Sequence, residues 1–173
     1  TGALTDGVIA GGGTAMRKID LIYEDDLSDA VVVGNVRAEI AHEAPTTGWF
    51  AIPCTAFSVA QRLNNKRRSS KEQRALKEPT LHLIENITPT ALDILRRGGH
   101  VVFENPGHSL LWKTEPFQAL TSAASEMGRP LRLIMHDQCM FCADDADPST
   151  THRKRMEFYT SMPKEWTTHL ECL

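Results

Sequence analysis

Cys54 directly follows Pro53, at the end of the apolar run Trp49-Phe50-Ala51-Ile52. A buried strand that gives way to a loop here presents its next side chain at a carboxyl strand end, where α/β folds place chemistry. The proline fixes φ just before it. A cysteine so placed is a candidate nucleophile, because the thiolate attacks electrophilic carbon. A second strand-then-loop, Val101-Val102-Phe103-Glu104-Asn105-Pro106, carries a carboxyl to the equivalent place. The two groups can face one cleft, one as nucleophile and the other as acid. The structural alternatives are a cysteine that is a small buried hydrophobe and a glutamate bound to an arginine or a helix end.

Cations stand near both. Arg62, Lys66, Arg67, Arg68, Lys71, Arg74 and Lys77 follow the Cys54 loop, opposed only by Glu72. A positive segment beside a nucleophile suits a phosphate-bearing substrate; otherwise it is a solvated surface loop. Arg153 and Arg155 alternate at a strand entrance and so share a face. Their guanidinium groups suit a base carbonyl, a phosphate or the Glu104 carboxylate. Cys139-x-x-Cys142, with His136 before it and His169-x-x-Cys172 after it, has zinc-ligand spacing but equally fits a buried strand end, and no metal site is assigned.

Three segments carry a resemblance. Pro53-Cys54 followed by Phe57-Ser58-x-Ala60 resembles the Pro-Cys-Gln-x-Phe-Ser-x-Ala segment of cytosine carbon-5 methyltransferases. Phe103-Glu104-Asn105-Pro106 is similar to that family's Glu-Asn-Val segment, and Thr151-His152-Arg153-Lys154-Arg155 to its Gln-x-Arg-x-Arg segment. They occur in the family's order. Thr55, Pro106 and Thr151 depart from the pattern, as does Ala51-Ile52 in place of Gly-Pro. The run from Glu104 through Trp112 and the stretch Asp137-Gln138-Cys139-Met140 resemble a divergent branch found in mobile-element polyproteins and phages.

The resemblance implies a Rossmann-like fold dependent on S-adenosylmethionine: a mostly parallel sheet with helices on both faces, in which the first strand can be missing. It implies methyl transfer to carbon 5 of cytosine in nucleic acid, DNA before RNA. Cys54 would be the nucleophile, Glu104 the acid holding the pyrimidine and Arg153 the supporting cation, with Asn105 bracing the Cys54 loop. Gly2, Asp20, Asp29 and Pro53 would contact the methyl donor. Ser58, Arg62, Lys66, Arg67, Arg68 and Arg155 would contact nucleic acid. The alternative is a catalytically inactive interaction module of the same fold.

The elements that must position these groups follow from pattern. Helices are expected over 27–42, capped by Ser28 or Asp26, and over 75–97, divided by Pro79 and Pro89. Two more are expected over 116–127 and 164–173. Strands are expected over 15–21, 49–52, 100–104, 131–135 and 156–160, with 53–74 a loop. Strands alternating with helices imply a parallel sheet. The 173 residues read as one domain, 1–173, and the start at Thr1 reads as a fragment of a longer chain. No apolar run is long enough to cross a bilayer. Four cysteines do not suggest a disulfide scaffold, so reduced thiols in an intracellular compartment, nuclear or cytoplasmic, are expected. The net charge of −3 excludes nucleic-acid binding by overall charge alone.

Overall fold

A computed structural model of the chain describes residues 6, 8–19, 25–58, 61, 64, 66–137 and 155–167. The chain divides into two compact units, Thr1–Pro45 and Thr46–Leu173. The first carries helix α1 (Ala30–Glu43). Its cap is Asp29, not Ser28 or Asp26: Asp29 Oδ1 accepts from the amides of Val31 and Val32 at 2.7 and 3.4 Å. Ser28 instead donates its hydroxyl and its amide to Asp26 Oδ1, and that pairing holds the Asp26 carboxyl below its usual range. The strand expected over 15–21 is not formed. Residues 14–19 have no regular structure, and 20–21 lie outside the described residues. Arg17, in this segment, pairs with Asp25 and Glu39.

Among its described residues the second unit holds one sheet. Strands β1 (Thr47–Ala51), β2 (His100–Pro106), β3 (Arg132–Asp137) and β4 (Arg155–Thr160) lie in the order β1-β2-β4-β3. β1 and β2 are parallel; β4 is antiparallel to both its neighbours. The α/β class is as expected, but the mostly parallel sheet is not: only one of the three ladders is parallel. Three strands do share a direction, with the reversed β4 inserted between β2 and β3. An antiparallel return needs no helical crossover, so β4 pairs without a helix between it and β3 being required.

Helix α2 (Ser70–Arg96) runs unbroken through Pro79 and Pro89, which were expected to divide it. Each proline removes one helical hydrogen bond and crowds the preceding turn, at about 3 kcal/mol. Burial of Ile84, Ile87, Ala91, Ile94 and Leu95 along one side opposes that cost, since a fully buried aliphatic side chain contributes roughly 1.5–3 kcal/mol. Ser69 and Glu72 form a reciprocal capping box at the start, so the helix begins inside the expected loop. At the other end Gly98 adopts φ 83°, a conformation that disfavours other residues.

Helix α3 (Glu115–Glu126) packs against α2, and both meet one face of the sheet. On that face Phe103 stacks on Phe50 (ring centroids 4.9 Å apart) and meets Phe117 edge-on (5.6 Å). Gly48 lets α2 approach: a Cβ there would lie 2.7 Å from Ile94 Cδ1. The opposite face carries a cluster of Val102, Ile134, Met156 and Phe158, with Met162 against it. Helices were expected on both faces; among the described residues of this unit, α2 and α3 share one. The final helix is a short 3-10 turn, Lys164–Trp166, and 168–173 lie outside the described residues. Among the described residues no helix is long and apolar enough to cross a membrane.

Candidate active site

Strand direction collects the candidate residues at one rim. Ala51, the last residue of β1, pairs with Glu104 of β2, and Cys54 lies three residues beyond it. Pro106 of β2 pairs with Met156 of β4, beside Arg155, and Arg155 pairs with Asp137 at the end of β3. The carboxyl ends of β1, β2 and β3 and the amino end of β4 therefore form a single edge of the sheet.

Asn105 joins the two central segments. It is 1% exposed, and its Nδ2 donates to the Ile52 carbonyl at 2.8 Å. The Ile52 amide in turn donates to the Glu104 carbonyl at 3.4 Å. The backbone entering the Cys54 loop is thus held against the backbone carrying Glu104. Farther along, the Phe57 amide donates to the Cys54 carbonyl and the Leu110 amide to the Phe57 carbonyl, both at 3.0 Å. Phe57, 2% exposed, roots the loop in the core while Cys54 stays half-buried. Asn105 Oδ1 is buried without a hydrogen-bond partner.

Alternation along β2 sends Phe103 and Asn105 to the helix-covered face and Glu104 to the other. There Trp49 Nε1 donates to Glu104 Oε2 at 2.9 Å. This is neither the arginine bridge nor the helix cap weighed from sequence. Arg155 is exposed and shares its face with Glu157 and Tyr159, opposite Glu104. Its side chain lies over Gly107, where a Cβ would come within 2.8 Å of Arg155 Cγ, and its carbonyl accepts from the Gly107 amide at 2.8 Å. Arg155 thus flanks the turn after Pro106 without facing the Glu104 carboxylate. Arg153 lies outside the described residues, as do Gly2, Asp20, Arg62, Cys139, Cys142, His169 and Cys172. Pro53 is exposed at the rim and Ser58 half-buried. Asp29 spends one carboxylate oxygen on the α1 cap.

The basic segment is organised by α2. Arg68 donates to Gln61 Oε1 at 2.7 Å, and its carbonyl accepts from Gln73 Nε2 at 3.1 Å. Lys66, Arg67, Lys71 and Arg74 are exposed. Glu72, the one acid among them, is committed to the cap: the Ser69 hydroxyl and amide both donate to it and hold its carboxyl below the usual range. The exposed cations therefore present positive charge to solvent.

One residue of the rim was not found from sequence. Glu157, 5% exposed, accepts from the His108 amide at 2.8 Å and from Trp112 Nε1 at 2.7 Å. It lies opposite Asn105 across the β2–β4 ladder and fixes the turn that leaves the rim, in which His108 takes φ 62°. Burial, and then the Glu157 charge, push the neighbouring Tyr159 hydroxyl up. A lone carboxylate inside Met156-Glu157-Phe158-Tyr159 was the available signal, because a buried charge must find donors. Trp112→Phe should leave one Glu157 oxygen unpaired and destabilise the protein by about 1–3 kcal/mol in denaturant unfolding. An unchanged midpoint would show that the bond contributes nothing.

Among the described residues no group of three His, Cys, Asp or Glu side chains is arranged to hold a metal ion. His136, buried, stacks on Phe158 with ring centroids 5.9 Å apart. No family model matches the chain, and no curated protein and no solved structure matches it either.

Proposed function

We propose that this chain is an S-adenosylmethionine-dependent methyltransferase domain acting on carbon 5 of cytosine in nucleic acid, DNA before RNA, within a Rossmann-like fold. The observation that carries this reading is the bond from Asn105 Nδ2 to the Ile52 carbonyl, 2.8 Å long, between the Cys54 and Glu104 segments. These are the two segments that resemble the family's catalytic ones, and they leave the carboxyl ends of adjacent parallel strands. Three co-directional strands and the exposed cations at the start of α2 agree with it.

In this reading a cytosine, flipped out if it comes from a duplex, enters beside the rim. The Cys54 thiolate adds to ring carbon 6 while the Glu104 carboxyl gives its proton to ring nitrogen 3, and the displaced electron pair makes carbon 5 nucleophilic. S-adenosylmethionine supplies an electrophilic methyl group. Loss of the carbon 5 proton to water then expels the Cys54 sulfur and restores the ring double bond, and nitrogen 3 returns its proton to Glu104. Of the donor contacts expected from sequence, Pro53, exposed and adjacent to Cys54, is the described one that fits. Arg153 would support the base, and Arg67, Lys66 and Arg155 the phosphates.

The test is incubation of the chain with labelled donor and cytosine-containing DNA or RNA, followed by mass spectrometry for 5-methylcytosine. Donor at 100 times its dissociation constant should stabilise the fold by about 2.7 kcal/mol. The absence of both product and stabilisation would refute the proposal. Stabilisation without product would identify an inactive module instead.

A further inference from the structure

Trp49 is an unusual neighbour for a catalytic carboxyl. It lies on β1, which among the described residues pairs only with β2, and it is 37% exposed. Its direct ladder partner is Val102, so Glu104 is its diagonal neighbour, within reach of an aromatic side chain. The ring is not loose. It meets Phe158 edge-on, centroids 5.5 Å apart at 64°, and Phe158 belongs to the buried cluster on that face. The packed ring therefore delivers its single polar atom to one oxygen of Glu104, at 2.9 Å.

An indole N–H can only donate. The oxygen that accepts from it, Oε2, cannot point a proton of its own at the same nitrogen. The carbonyl oxygen of a neutral carboxyl is the stronger acceptor, so the indole bond to Oε2 favours the Glu104 proton on Oε1. Among the described residues no side chain or amide bonds Oε1, so that oxygen is left for a ligand. We propose that Trp49 is the positioning residue of this site: it binds Glu104 Oε2, fixes the plane of the carboxyl and assigns Oε1 as the oxygen that donates to the pyrimidine. The inference rests on the methyl-transfer reading of the same site. It adds a requirement that the family segments do not contain, namely an indole donor five residues before the nucleophile.

Trp49→Phe keeps an aromatic ring against Phe158 and removes the N–H. Because even this change alters ring shape, 3-benzothienylalanine at position 49, a bicyclic isostere without the N–H, serves as the second variant. Both should lower kcat by about tenfold, the effect of one charge-assisted hydrogen bond, with KM for the methyl donor unchanged. Glu104→Gln should lower kcat by about 10²-fold or more, as loss of a general acid does. The decisive measurement is the double variant. If Trp49 acts through Glu104, adding Trp49→Phe to Glu104→Gln should cost less than about twofold further, because the coupled effects do not add. A full additional tenfold loss would mean that Trp49 serves the fold or another step, and would overturn the inference while leaving the methyl-transfer reading in place. So would undiminished kcat in the benzothienyl variant. A wild-type chain that forms no 5-methylcytosine overturns the underlying reading, and the inference falls with it.

Discussion

Under the proposed methyl transfer, Cys54→Ser is expected to abolish 5-methylcytosine formation, lowering the rate by roughly 10³-fold or more, because a hydroxyl in place of a thiol would remove the nucleophile on which the later steps depend. The fold should survive. Cys54 is half-buried in a loop whose anchors are other groups: the Ile52 and Phe57 carbonyls, bonded by Asn105 and Leu110. Serine is nearly isosteric, so the thermal midpoint should move little while activity vanishes. Rate measurement together with circular dichroism separates the two effects. Retained product formation would remove Cys54 from the mechanism, and a cooperative loss of fold would make it a packing residue.

The second large effect lies in the core. Phe117 is fully buried, and three rings surround it: Phe103 at 5.6 Å, Trp112 at 4.7 Å and Tyr159 at 5.2 Å between centroids. Phe117→Ala should destabilise the protein by about 3–5 kcal/mol, the transfer and cavity cost of deleting a buried aromatic side chain. At roughly 3–5 °C per kcal/mol for a unit of this size, the thermal midpoint should fall by about 10–25 °C. Calorimetry checks the figure. A drop of only a few degrees would mean that the α3 contact with the sheet can collapse to fill the space. Activity at a temperature where the variant is still folded should also fall, since Phe103, one of the three rings, precedes Glu104.

The two segments at the rim were legible because their signals are local. A proline before a cysteine, and a carboxyl at the end of Val101-Val102-Phe103, need no tertiary knowledge to be noticed. Strands β2 and β4 and helix α3 were found within two residues, as continuous apolar runs or periodic patterns allow. The direction of β4 was not legible: Met156 to Thr160 reads the same whichever way the strand runs, and only its partners on both sides decide it. The continuity of α2 was misread for a different reason. Two prolines carry a local penalty, whereas the opposing burial of Ile84, Ala91 and Leu95 depends on a sheet that the segment itself does not reveal. Glu157 and Trp49 were missed because each was judged alone. A tryptophan with a lone N–H and a carboxylate with no visible donor are complementary needs, and reading such deficits as pairs would have pointed to Trp49 with Glu104 and Trp112 with Glu157.

The place of β4 has a consequence for how the chain assembles. Among the described residues β3 pairs with β4 alone, and β4 stands between it and β2. Although β3 leaves the ribosome first, its partner strand among the described residues arrives only with residues 155–160. The pairing of β3 with β4 is the more local event, and its docking onto β2 closes a contact across nearly sixty residues, from Val102 to Thr160. Until that docking, one side of β2 is an open edge of unpaired amides and carbonyls, the kind of surface on which nascent chains stick to one another. Refolding yield should therefore depend on concentration, with the arrival of a single strand marking the end of the hazard.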